Sequence, residues 1–297
     1  MWSWKRSIRK DLRIPRQSDR KTKEKKMNNS EFIEVESNVR LHIRDWGKGK
    51  TIVFIPGWPL SHEMFEYQFT HLVKQGYRCV GISMRGFGKS STPWGDYNYD
   101  VFTDDIKKVL ETLDLKEVTL AGHSMGGAIS LHYLARHKHA RVARLALFGA
   151  AAPCFTKRSG FPYGLETTAV DEFIEACITD RPKLVDDFGK IFFHHENAVS
   201  PKMAEWFYDM GMQASPHATL ACLKALRDAD LREVMVKVSV PTTIFHSKHD
   251  QICPYHLGQA LAAGIKEATL VPFEKSGHGL FLEEKDKFNT ELAKFIG

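Results

Sequence analysis

The stretch Val118-Thr119-Leu120-Ala121-Gly122-His123-Ser124-Met125-Gly126-Gly127 decides how this chain is read. Its first four residues form a short apolar run that reads as a buried strand, Gly122 to Gly126 reads as a sharp turn, and the residues after it are compatible with a helix. A serine on such a turn has its hydroxyl held clear of the sheet, and the flanking glycines let strand and helix cross without a side-chain clash. The pattern is a nucleophile elbow. At average glycine and serine usage, G-x-S-x-G arises by accident in roughly one chain in ten of this length. Its weight therefore rests on what accompanies it.

A serine hydroxyl is a poor nucleophile until an imidazole removes its proton, and that imidazole needs a carboxylate to fix its tautomer and stabilise its cation. Both follow in the chain. Pro241-Thr242-Thr243-Ile244-Phe245 reads as a buried strand running into the polar loop His246-Ser247-Lys248-His249-Asp250, which makes Asp250 the expected acid. Ala268 to Phe273 reads as the next strand, and the glycine-flanked loop Glu274-Lys275-Ser276-Gly277-His278-Gly279 carries His278, the expected base. Serine, acid, histidine is the chain order an elbow serine requires. Two backbone N–H groups must also face the oxygen that becomes negative in the tetrahedral intermediate. Met125 is expected to supply one, and Trp58 the other from the loop Pro56-Gly57-Trp58-Pro59-Leu60, because Pro59 has no N–H to give.

With these motifs, and with Asp45-Trp46-Gly47, Arg85-Gly86-Phe87-Gly88-Lys89-Ser90 and Asp114 to Leu120, the chain from about Phe32 onward resembles the α/β-hydrolase superfamily. Within it the likeness is to the cofactor-free haloperoxidase and aryl esterase group, also described as perhydrolases. The resemblance implies hydrolysis of small esters through an acyl-enzyme, with a side reaction in which hydrogen peroxide replaces water and gives a peracid, and it implies neither metal nor cofactor. Three positions depart from the group's pattern: Pro56 stands where a His is usual, Ser83 where an Asp is common, and His123 where Phe is frequent. The same triad serves carbon–carbon bond hydrolases and lactonases. The fold also hosts regulatory proteins that bind a ligand without turning it over.

Strand-like runs alternating with helical spacing imply a mostly parallel sheet covered by helices on both faces, with ligands at the carboxyl ends of the strands. Residues 32–46 read as a hairpin turning near Ser37-Asn38, residues 77–82 and 143–148 as further strands, and Val101, Ile106, Val109, Leu110 and Leu113 as the stripe of a helix. The expected organisation is a basic tail over 1–29, an α/β core over 30–150, a helical cap inserted over 151–239, and the rest of the core over 240–297. Helix-like stretches at Val170 to Ile178, Lys183 to Phe193 and Met203 to Met210 make up the cap. Its aromatics, Phe155, Phe161, Phe192, Phe193, Trp206, Phe207 and Tyr208, favour an apolar acyl or aryl substrate over a charged one.

At 297 residues, 43% apolar and 26% charged, the composition is that of a globular enzyme with one large core. Apolar runs all fall short of the roughly 20 residues that span a bilayer, so a soluble protein without a transmembrane segment is expected. Five cysteines, scattered and without C-x-x-C spacing, suit free thiols in a reducing compartment, hence the cytoplasm. The net charge of +6 sits in the tail: the first 26 residues hold eleven Lys or Arg against three acids, a balance of +8, which leaves −2 for the rest. Such a run reads as a solvated tail rather than a nucleic-acid arm, and no nucleic-acid partner is expected. His194-His195-Glu196 and the pair His246 and His249 lack the i, i+4 helical spacing with a third ligand that a zinc site needs.

Overall fold

The computed structural model describes residues 31–195 and 198–297. The expected basic tail over 1–29, and Glu196 of the histidine-rich stretch, lie outside the described residues. Eight strands form one sheet: β1 (Phe32–Glu36), β2 (Val39–Gly47), β3 (Thr51–Ile55), β4 (Arg78–Ile82), β5 (Val118–His123), β6 (Val142–Phe148), β7 (Thr242–Ser247) and β8 (Ala268–Phe273). Their order across the sheet is β1-β2-β4-β3-β5-β6-β7-β8. The β1–β2 hairpin turns at Ser37-Asn38, with Asn38 at φ 62°, and pairs antiparallel with β4; every other pairing is parallel. β5 and β7 are buried at every residue, as strands are when both faces of a parallel sheet are covered.

The helices are α1 (Glu66–Lys74), α2 (Tyr99–Thr112), α3 (Met125–Arg136), α4 (Thr167–Thr179), α5 (Arg181–Phe192), α6 (Pro201–Met212), α7 (Pro216–Asp228), α8 (Arg232–Met235), α9 (Tyr255–Gly264), α10 (Leu280–Glu283) and α11 (Lys285–Ile296). α2 starts where the Asn98 side chain accepts the Val101 N–H at 3.0 Å. Its buried stripe runs through Tyr99, Phe102, Ile106, Val109 and Leu110, whereas Val101 and Leu113, expected in that stripe, are only partly buried. Among the described residues no helix is long and apolar enough to cross a membrane.

Between β6 and β7 the chain leaves the sheet and builds α4 to α8, with only isolated bridges, Thr156 to Leu165 and Arg158 to Phe161, among its described residues. α5, α6 and α7 share one start signal. Asp180, Ser200 and Ser215 each accept an N–H from the first turn, and a proline follows where no intrahelical donor is needed. α7 is the helix the periodicity reading did not single out, although Ser215-Pro216 announces it.

Arg85, in the turn after β4, is buried and donates two hydrogen bonds of 2.7 Å to the buried Asp105 of α2 and one of 3.0 Å to Glu36 of β1. Removing one partner of a buried pair leaves the other charge without compensation, so Asp105→Ala is expected to lower unfolding free energy by about 3 kcal/mol, read from urea denaturation. His62, His123 and His246 are also buried, and burial foremost holds each imidazole below its usual pKa. The unfolded chain takes up protons on these rings near pH 6.5 while the folded chain does not. Their contribution is therefore complete above that pH and is lost as pH falls below it. The thermal midpoint is expected to drop between pH 7.5 and 5, with a shallower slope in His62→Gln, both measured by calorimetry.

Candidate active site

β5 ends at His123, α3 begins at Met125, and Ser124 between them has φ 53° and ψ −120°, a backbone region that residues other than glycine seldom occupy. The sheet holds it there. Ser124 N–H donates to the Phe148 carbonyl at 2.9 Å, and its own carbonyl accepts from Ala151 N–H at 3.0 Å. Glycine is needed where α3 passes the end of β3, because a Cβ on Gly126 would lie 2.4 Å from the Ile55 carbonyl oxygen. It is needed again in the loop after β3. A Cβ on Gly57 would lie 2.8 Å from Ser124 Cβ and 2.7 Å from His123 Nδ1, so the loop carrying Trp58 rests directly on the elbow. The Trp58–Pro59 peptide is cis. The first N–H groups of α3, Met125 among them, have no intrahelical acceptor.

Asp250 and His278 meet from the loops after β7 and β8. His278 Nδ1 donates to Asp250 Oδ2 at 2.7 Å, with both side chains fully buried. The other carboxylate oxygen, Oδ1, accepts the N–H groups of Ile252 at 2.9 Å and Cys253 at 2.8 Å, which fixes the carboxylate plane. A carboxylate can only accept, so the imidazole carries its proton on Nδ1 and presents a bare Nε2. That Nε2 is buried and without a partner. The Cys253 thiol is pushed well up in pKa by burial and the Asp250 charge and drawn down by the neighbouring Ser124 hydroxyl. The expected acid and base thus pair directly, and among the described residues no hydrogen bond joins the Ser124 hydroxyl to His278 Nε2.

The histidine loop is fastened to the helical insertion. Glu283 of α10 accepts the Gly277 N–H at 2.9 Å with one oxygen and the His194 N–H, at the end of α5, at 2.8 Å with the other. Glu284 accepts Lys275 N–H at 2.9 Å and the Ser276 hydroxyl at 2.7 Å, and Gly279 N–H donates to the Phe192 carbonyl at 3.1 Å. His123 Nε2 donates to the His278 carbonyl at 3.0 Å, and its ring lies 4.4 Å from the His278 ring. Of the histidines weighed as metal ligands, His246 Nε2 donates to the Cys253 carbonyl at 2.7 Å, and the His194 ring stacks on His249 with centroids 4.0 Å apart.

Ser124 faces an apolar cavity lined by Trp58, Phe155, Phe173, Phe188, Leu223 and Leu226. The Trp58 indole is anchored by its N–H to the Thr219 carbonyl of α7 at 3.1 Å. Of the insertion aromatics singled out in the sequence, Phe155 lines this cavity and Phe192 packs on the His278 ring at 5.2 Å, while Phe173, Phe188 and the α7 leucines were missed. Helical spacing from Thr219 through Cys222 and Leu223 to Leu226 could have found the last two. Glu283 and Cys253 carry no local signal, since their partners are decided by how separate loops pack.

The alpha/beta hydrolase fold family matches residues 50–285. The chain is 47% identical over 264 residues to the AB hydrolase superfamily protein YisY of Bacillus subtilis, covering 89% of this chain and 98% of the relative. It is 33% identical to the non-heme chloroperoxidase CPO-A1 of Kitasatospora aureofaciens, over 87% of this chain and 96% of that one. The solved esterase EaEST of Exiguobacterium antarcticum superposes with a TM-score of 0.87 at 42% identity, over 89% of this chain and 98% of the other. A sheet of this order with a serine at its central strand-to-helix turn, and this extent of match, mean that the chain belongs to the α/β-hydrolase family, near its non-heme haloperoxidases, and is a hydrolase.

Proposed function

We propose that the protein is a serine carboxylesterase that cleaves small apolar esters through an acyl-enzyme, in the cytoplasm, with residues 151–239 acting as the cap over its site. One observation carries this reading: His278 is held by Asp250 through Nδ1 and keeps a buried, unpartnered Nε2 in the same cluster as the elbow serine. Ser124 turns its hydroxyl to that nitrogen and attacks the ester carbonyl carbon. His278 takes the proton and passes it to the leaving alcohol, and Asp250 stabilises the imidazolium between the two steps. The backbone N–H groups of Trp58 and Met125 bind the oxyanion, and water repeats the sequence to release the acid. An apolar cavity strengthens those hydrogen bonds by excluding water, and it suits a neutral substrate. Five buried, unpaired thiols support the reducing compartment.

Hydrogen peroxide can take the place of water in the second half. It attacks the acyl-enzyme carbonyl, gives its proton to His278, and leaves as a peracid while Ser124 recovers its hydrogen. Relatives described as non-heme chloroperoxidases, and an esterase/perhydrolase of Acinetobacter calcoaceticus, 28% identical, support this side reaction.

Ser124→Ala is expected to cut turnover of short aryl esters by roughly 10⁴-fold or more, as loss of a triad nucleophile does, measured by steady-state hydrolysis. A fluorophosphonate should add its mass once to the native protein and not to Ser124→Ala; labelling without ester turnover would identify a ligand-binding relative instead. With added peroxide, peracid should appear in competition with acid, and Ser124→Ala should make neither.

A further inference from the structure

The Ser124 cavity has a neighbour. A second apolar space opens between α5 and α6, lined among others by Val185, Phe192, Phe207 and Tyr208 and by Pro59 and Leu60 of the loop that follows Trp58. Phe188 lines both. Its ring stands edge-on to Trp58, with centroids 5.0 Å apart at 90°, and 6.0 Å from Phe192, so one side chain separates the two spaces. They hold about 310 and 340 Å³ of space outside atoms, counted out to solvent. Neither is lined by a charged side chain.

We propose that the two spaces form one substrate site divided by Phe188. The Ser124 chamber takes the first carbons of the acyl group, the α5–α6 chamber takes the far end of a longer acyl chain, and Phe188 sets the chain length that passes. This rests on the ester reading above and names the substrate class more closely: esters of medium-chain aliphatic acids. An alkyl chain is the occupant that fits, because both chambers are apolar, one opens on the serine and the other adjoins it across Phe188, and neither offers an ion pair to a charged end group. The constraint is steric, since a phenyl ring on α5 stands where methylenes would run.

The test uses two ester series on the full protein: p-nitrophenyl esters from acetate to dodecanoate, which lengthen the acyl side, and alkyl acetates, which lengthen the alcohol side. In Phe188→Ala the ratio of kcat/KM for decanoate over acetate is expected to rise at least about tenfold, the scale on which an apolar pocket discriminates methylenes, while the alcohol series keeps its profile. Ala204→Phe, on the exposed face of α6 at the edge of the second chamber, should reverse that gain in the double variant. A native decanoate ratio in Phe188→Ala, a shift confined to the alcohol series, or a gain that Ala204→Phe leaves intact overturns the proposal. Absence of ester turnover in the native protein is a different result, which removes the esterase reading itself.

Discussion

Everything at this site depends on one residue being kept in a backbone conformation it would not choose. Ser124, at φ 53°, sits where a non-glycine residue costs about 1–3 kcal/mol. The sheet over-determines it: β5 delivers it from a strand buried at every position, Phe148 and Ala151 close hydrogen bonds on its amide and carbonyl, and α3 departs at once. Side-chain rotation is then the freedom left to the hydroxyl, which lies beside the Cys253 thiol. The strain aims the Ser124 side chain at the end of the sheet, where the loops from β3, β7 and β8 converge.

The family's usual residues are absent at three positions, and each absence is absorbed locally. Pro56 has no imidazole to order its loop; the loop is closed instead by Leu60 N–H to the Gly57 carbonyl at 2.8 Å and by the Trp58 indole reaching α7. Ser83 brings a hydroxyl where a carboxylate is common, and it bonds His62 Nδ1 at 2.8 Å, a neutral pairing suited to a buried imidazole. His123 fills an aromatic slot against Phe192 and Phe281 and adds a hydrogen bond to the carbonyl of His278. Substitutions of this kind leave the backbone frame alone and change what braces it.

The second brace runs through Glu283. Half-buried, with its carboxyl pKa raised by that burial and lowered by the two N–H groups it accepts, it links the end of α5 to the residue before His278. The helical insertion is thereby coupled to the His278 loop as well as lining the space beside Ser124. Phe192, between them, touches the His278 ring, His123 and Phe188.

The strands, the elbow and the residue types around it were legible from local pattern. Alternation marks β1 and β2, buried β-branched runs mark β3, β5 and β7, and G-x-S-x-G between a strand and a helix marks the turn, because backbone conformation and burial leave a periodic trace in neighbouring residues. The order Ser124, Asp250, His278 was likewise written in the chain, and His278 donates to Asp250. What the chain alone left open was every contact between segments distant in sequence: the thiol of Cys253 beside the serine, the two-sided grip of Glu283, the α7 carbonyl that anchors Trp58, and Phe188 between two cavities. Those contacts depend on where loops of unrelated sequence come to rest on one another, and only packing in three dimensions decides that.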